Sequence, residues 1–452
     1  MDNRNRNRKR RRRRRHKIRI GVLILEIIVF LFAVTLLALF FMPNSKAKII
    51  SAFTQCSVGR KILSCAGEDD YNKNVLNSDF NRNNIKKSTS ALASKEYINI
   101  ALFGIDPRDG EFESATHTDS IIIVTVNTKT SAITLTSIYR DTLMRMTDRD
   151  GEMVLTKANN AYFYGGPEEA INTLNTNLDL NIEDYAIVNF SGLATIIDAL
   201  GGIDVNITDD EQFYINGYLV ETREVTGMDA PDVEKSGHVH LTGLQATAYC
   251  RIRYTDYTDA AGNVLHDDYG RTARQRYVMT QIFNLAQTAG TEKIIKTAKT
   301  LLNNDTLDGN KIMETSLSWD TILDLIPIAM ECSLGTAQGF PYEKYTPDKE
   351  NDYYGYVVPV GLVDNVTQLQ QSLFPDSKYT PSTVLKSISN EIIDETGIEP
   401  ETDSSDDNTS SRTSGKKSGN TSDSYNNSDS SNYTDDSDNN ISDYGANDYY
   451  QE

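Results

Sequence analysis

The sequence predicts an α/β protein carried on one membrane-spanning helix. Three observations lead there: an apolar run at residues 20–42 behind a block of arginines, alternating strand-like and helix-like runs between about 95 and 395, and polar low-complexity segments on either side of that region.

Residues 1–19 form a basic head, with twelve Lys or Arg against the single acidic Asp2. Residues 20–42 (IGVLILEIIVFLFAVTLLALFFM) carry one charge, Glu26, and as a helix of 1.5 Å rise they reach roughly 35 Å, enough for a hydrocarbon core of about 30 Å. The run is too long for a cleaved signal peptide, and no clear small-residue cleavage site follows it. Basic residues crowd the first flank while only Lys46 and Lys48 follow the second, which orients the N-terminus to the cytoplasm and the body outside. The expected location is the cell membrane, single-pass, with membrane lipid as a partner of the arginines. Residues 43–94 read as an extracellular stalk and 396–452, rich in Ser, Asn and Asp, as a disordered acidic tail that cannot bury enough apolar surface to fold.

Within 95–395, strand-like runs fall at 97–105, 120–126 (SIIIVTV) and 132–138 (AITLTSI). A helix announced by Gly166-Pro167 follows over 167–178, then a strand YAIVNF, a helix SGLATIIDALGG and a strand IDVNI. After a loop-rich stretch come a strand over about 246–254 and a helix over about 269–289. The remainder contains further helical segments and the strand YVVPV.

The net charge of −19, with its basic residues gathered at one end, excludes a generally cationic nucleic-acid binder, and nucleic acid is not expected as a partner. Cys56, Cys65, Cys250 and Cys332 would lie in an oxidising compartment. Their spacing suggests the pairs Cys56–Cys65 and Cys250–Cys332, with buried free thiols as the alternative.

Polar residues converge in two places. If the first three strands form an antiparallel meander, one sheet edge carries Asp106 with Arg108, Asp119, and Arg140 with Asp141. Two carboxylates there suit a hard cation and the arginines an oxyanion; a set of loop salt bridges is the alternative. Further on, Arg251 and Arg253 in CRIRY, two apart on the expected strand, share a face and repel unless an anion lies between them. In the next helix Arg271, Arg274 and Gln275 share a stripe with Val278, Ile282 and Leu285, as a helix start lining an anion pocket would; a solvated rim has the same pattern. Lys157 either reaches a phosphate or caps a surface loop. No Walker A loop, GxGxxG, GxSxG or HExxH is present. His238 and His240 in GHVHLTG lack a third ligand nearby, and no aromatic stripe marks a carbohydrate platform.

The stretches INIALFGIDPRDG, HTDSIIIVTVN, LTSIYRDTLM, TKANNAYFYGGPEEAINTL, YAIVNFSGLATIIDALGGIDVNI, HLTGLQATAYCRIRY and DDYGRTARQRYVM, in this order over residues 98–279, resemble the LytR-CpsA-Psr family of membrane-anchored cell-wall enzymes. The resemblance implies a central mixed β-sheet flanked by helices, a catalytic domain over 95–395, and a hydrophobic groove for a polyprenyl chain. It also implies transfer of a glycopolymer such as teichoic acid or capsule from a polyprenyl-pyrophosphate carrier to peptidoglycan, with Mg2+ assisting. By position, Asp106 and Asp119 match the magnesium-associated carboxylates. Arg140, Lys157, Arg251, Arg253, Arg271 and Gln275 match positions that hold the pyrophosphate, with Arg108 and Arg274 beside them, and Asp268 matches an acidic position near the reacting phosphates. His117 departs from the arginine common in the family two residues before the second carboxylate. Two other functions compete: a polyprenyl-pyrophosphate phosphatase, and a non-catalytic wall scaffold that would have no need of the arginines.

Protease added to intact protoplasts should digest the chain from about residue 43 onward and spare the arginine-rich head. A tail protected from protease would overturn this topology.

Overall fold

The computed structural model describes residues 71–88, 96–106, 116–289, 297 and 311–400. The expected head, membrane span, Cys56, Cys65, Arg108 and the tail beyond residue 400 lie outside the described residues. No helix among the described residues is long and apolar enough to cross a membrane.

The expected meander is present. Strands β1 (Tyr97–Ile105), β2 (Thr118–Asn127) and β3 (Ala132–Ile138) pair antiparallel in sequence. A hairpin follows, β4 (Leu143–Thr147) with β5 (Met153–Lys157), and then helix α1 (Asn160–Leu178), which kinks at Gly165-Gly166, just before the proline expected to start it. Next come β6 (Asp184–Val188), α2 (Phe190–Leu200), β7 (Ile203–Ile207), α3 (Asp209–Thr226), β8 (Gly237–Leu241), α4 (Gly243–Tyr249), the short hairpin β9 (Tyr257–Thr258) with β10 (Val264–Leu265), and α5 (Asp267–Thr288). The last part holds β11 (Met313–Thr315), α6 (Trp319–Glu331), β12 (Ser333–Phe340), the pair β13 (Lys344–Tyr345) and β14 (Val358–Pro359), α7 (Leu362–Leu373) and α8 (Thr383–Thr396).

The main sheet runs β11-β6-β1-β2-β3-β12. Because β6 lies parallel to β1 and β12 parallel to β3 while the other pairs are antiparallel, the sheet is mixed. Side chains of a strand alternate between faces, so Ile121 and Ile123 enter a core closed by α1, α7 and α8. Ile122 and Val126 enter a second one under α5 and α6, where Met279, Phe283 and Ile328 pack. Covering both faces explains why β2 reads as an unbroken apolar run. A third cluster joins α2, β7, α3, β8, α4 and α5 into a lobe beside the sheet.

Four expectations are corrected. Residues 71–88, assigned to the stalk, pack on the domain: Val75 and Ile85 are buried, Leu76 bridges Thr315 on edge strand β11, and Asn77 hydrogen-bonds Tyr185 and Glu314 at 2.9 Å. They cover an otherwise open sheet edge. The stretch at 209–226, read as loop-rich, is helix α3, started by a capping box between Thr208 and Glu211. The strand expected over 246–254 is instead helix α4 and the turn after it, because Thr242 and Gln245 form a second capping box. Cys250 is a buried free thiol, so the expected Cys250–Cys332 disulfide is not formed; burial pushes its pKa up to about 12.

Within the lobe, α4 approaches α2 closely at Gly243. A β-carbon on Gly243 would stand 1.9 Å from the Ala194 carbonyl oxygen, whereas one on Gly217 in mid-α3 would meet nothing within 4 Å. Gly243→Ala should therefore cost about 1–3 kcal/mol through overpacking, and Gly217→Ala should add about 0.5–1 kcal/mol by removing a helix-interior glycine. Urea midpoints of the two variants check this pair of opposite signs.

Candidate functional site

The meander brings its charged residues to one edge. Asp106 follows the end of β1, Asp119 is the second residue of β2, and Arg140 with Asp141 follows β3, while the register pairs Ile105 with Thr118. The first turns of α5 add Asp268 and Arg271, and the turn after α4 adds Arg253.

Asp119 is the centre. Its Oδ1 lies 2.7 Å from Arg140, 3.3 Å from Arg271 and 3.8 Å from Arg253. Arg271, 3% exposed, also reaches Asp268 at 2.7 Å and donates to the Asp119 carbonyl. Arg140 lies 3.5 Å from Asp141 and 3.8 Å from Asp268, and Lys157, at the end of β5, joins through Asp141 at 3.3 Å. Burial pushes the Asp119 carboxyl up, but Arg271, Arg140 and Arg253 together outweigh it and hold its pKa below the usual aspartate value.

Arg253 has a different balance. Among the described residues its nearest carboxylate oxygens, on Asp119 and Asp268, are both 3.8 Å away, beyond hydrogen-bond range. Burial, then Arg271 and Arg140, lower its pKa more than the two aspartates raise it. A guanidinium held in cationic company, with no hydrogen-bonded carboxylate among the described residues, has the chemistry to pair with an oxyanion. His117 stacks on Phe163 at 4.8 Å between ring centroids, with Arg149 over the same ring at 3.9 Å. Burial foremost, with Arg140 and Lys157, lowers its pKa against Asp119 and Asp141, so this position supplies an uncharged ring near neutral pH.

For a divalent cation the donor set is carboxylate oxygen from Asp106 and Asp119. The side-chain hydrogen bonds that Asp119 accepts from Arg140 and Arg271 both use Oδ1. Among the described residues no group of three or more His, Cys, Asp or Glu could hold a metal. Two carboxylates alone would leave most of the shell of a hard cation such as Mg2+ to other oxygen ligands.

Three expected site residues make their contacts outside the Asp119 cluster. Arg251, off the supposed strand, donates to Thr222 at 2.8 Å and Glu221 at 2.6 Å and lies over the Phe190 and Tyr218 rings; it does not face the same carboxylates as Arg253. Arg274 is fully buried, paired with Glu211 at 2.9 Å, and donates to the carbonyls of Thr255 and Asp256. Gln275 donates to the Cys250 carbonyl. Arg274 thus holds the turn that presents Arg253 and is itself closed to solvent. Asp141 links Arg140 to Lys157, a role marked in sequence only by its place at the sheet edge.

The profile of the LytR_cpsA_psr family matches residues 65–325. A polyisoprenyl-teichoic acid–peptidoglycan teichoic acid transferase TagU of Enterococcus faecalis is 30% identical over 246 residues, 54% of this chain and 69% of that protein. The TagU of Bacillus licheniformis is 31% identical over 254 residues, 56% of this chain and 71% of that protein. With the TagU of Bacillus mycoides identity is 34%, and the chain spans about half of that relative's length, 54%. Among solved structures, TagV of B. subtilis aligns over 64% of this chain and all of its own, at 25% identity and a TM-score of 0.45.

Removing one member of a buried pair strands the other. Arg274→Met should destabilise the protein by about 3–5 kcal/mol, with Glu211 left uncompensated. Adding Glu211→Leu should recover part of that loss, as read from the melting temperatures of both variants.

Proposed function

This chain belongs to the LytR_cpsA_psr family, and we propose that it moves an anionic glycopolymer from a polyprenyl-pyrophosphate carrier to peptidoglycan outside the cell membrane. The single observation that carries the reading is Arg253, a cation within the electrostatic reach of Arg140 and Arg271 and, among the described residues, with no carboxylate closer than 3.8 Å. The relatives named for teichoic acid transfer to peptidoglycan support the substrate pair. An anchor at residues 20–42, the N-terminus in the cytoplasm, rests on the basic flank before it.

In this reading the pyrophosphate lies between Arg140, Arg253 and Arg271, with Lys157 beside them. A peptidoglycan sugar hydroxyl attacks the sugar-side phosphorus. The new P–O bond forms as the bond to the bridging oxygen breaks, and polyprenyl phosphate leaves with that oxygen. Phosphoryl transfer asks mainly for positioning and charge neutralisation, which the arginines give as negative charge gathers on the leaving oxygen. Asp268 orients Arg271 and receives the hydroxyl proton. Asp106 and Asp119 would hold Mg2+, which supplies further neutralisation of the phosphate oxygens when bound.

The polyprenyl chain has a fitting surface in the second core. On the face under α5 and α6, Leu102, Val124, Met279, Phe283, Ile328 and Leu334 are only partly buried. Half-covered apolar surface of this kind supports an acyl or prenyl occupant.

Arg253→Ala should leave the melting temperature nearly unchanged and lower transfer about tenfold to a hundredfold, for a charge-assisted hydrogen bond worth roughly 1.5–3 kcal/mol. Arg251→Ala, which cuts contacts to Thr222 and Glu221, should act mainly on stability. An Arg253→Ala protein that melts early yet turns over normally per folded molecule would overturn the assignment. Assay with and without peptidoglycan separates transfer from hydrolysis by the same site.

A further inference from the structure

Next to the charged site lies a run of aromatic rings that the chemistry above does not use. Phe213 and Tyr254 are 72% and 71% exposed, and Val220, one helical repeat from Phe213, is 57% exposed. Tyr214 connects them: its ring lies 5.4 Å from Phe213, nearly perpendicular, and 6.1 Å from Tyr254. Phe213, Gly217 and Val220 fall on one face of α3 by their spacing, and the space over Gly217 is open. The face is therefore a floor bounded by rings at one end.

The floor is continuous with the site. Tyr254 directly follows Arg253 in the chain, and Tyr218, one turn from Tyr214, feels both. Burial raises the Tyr218 pKa, the Tyr254 hydroxyl adds to the rise, and Arg253, Arg251 and Arg271 oppose it. An exposed aromatic face of this kind costs free energy in water unless something covers it.

We propose that Phe213, Tyr214 and Tyr254, with the floor over Gly217, bind the glycan strand of the peptidoglycan acceptor and lead its hydroxyl toward Arg253. The proposal rests on the transfer reading above and names the binding surface for one of its two substrates. Sugar rings present C–H faces that stack on exposed aromatic rings and hydroxyls that need polar neighbours. The same side of α3 supplies those neighbours as exposed Asp210 and Glu224, with Glu221 beside them already paired with Arg251. Charge assigns the occupant: a phosphate-bearing donor polymer is repelled by these carboxylates, whereas the backbone sugars of a glycan strand accept them as hydrogen-bond partners.

The test uses the full chain in detergent, with two probes: purified sacculi stripped of teichoic acid, and soluble teichoic acid. Phe213→Ser with Tyr254→Ser, and separately Gly217→Gln to fill the floor, should weaken retention on sacculi about tenfold, the scale of losing one or two ring contacts. Tyr254→Trp should retain binding, and binding of soluble teichoic acid should not change. Unchanged retention on sacculi, or a loss confined to teichoic acid, overturns the platform. Retention is read by pelleting, without turnover. A chain that fails to transfer but loses sacculus binding in the variants therefore keeps the platform and defeats only the transfer reading, and normal transfer with unaltered pelleting does the reverse.

Discussion

Three guanidinium groups share one carboxylate oxygen, and the arrangement of the whole site follows from that constraint. Arg140, Arg271 and Arg253 approach Asp119 Oδ1 from the end of β3, the first turn of α5 and the turn after α4. Like charges this close repel strongly where water is scarce. Asp268 and Asp141 temper the repulsion for Arg271 and Arg140, and Arg253 is left with the weakest compensation. Rigid secondary structure holds Arg253 in this under-compensated position, and on the proposed reading an arriving pyrophosphate would supply the pairing it lacks.

The rigidity comes from a second ion pair that never meets substrate. Glu211 caps α3 by accepting from the Thr208 backbone and also accepts from Arg274, which in turn gathers the carbonyls of the turn at 255–256. One carboxylate thereby ties a helix start, a helix interior and a loop. Arg271 and Arg274 are three residues apart on α5, yet Arg271 reaches Asp119 and Asp268 while Arg274 is sealed beneath the site.

That contrast marks the boundary of what the chain disclosed before its structure. The meander and its charged edge were legible, because β-branched runs separated by short polar turns leave few pairings, and strand ends then fix where Asp106, Asp119 and Arg140 go. The α5 stripe was legible as a stripe only. Spacing places Arg271 and Arg274 on one face, but the partner that buries Arg274 is Glu211, distant in sequence and reached through an unforeseen helix. Helix α3 escaped notice because its outward face carries Phe213 and Val220, which blurs the apolar period. The alternation in CRIRY looked like a strand, although TGLQ just before it is a helix start by its capping pattern. The seven quoted stretches located the family where periodicity alone could not have named it.

The order of the main sheet has a consequence for the chain as it is made. Strand β12 pairs with β3, and the hydrogen bond between Gln338 and Thr136 joins residues 202 apart in sequence; β11 closes the other side against β6. Both edges of the sheet are thus supplied late in synthesis. A chain emerging from its N-terminus exposes the apolar strands β1, β2 and β3 for the whole interval before residues 313–340 arrive, and pairings of such long range are slow to form. The nascent domain is therefore open to misassembly during that interval, and a truncation anywhere before residue 340 would leave β3 as a bare edge on an unfinished sheet.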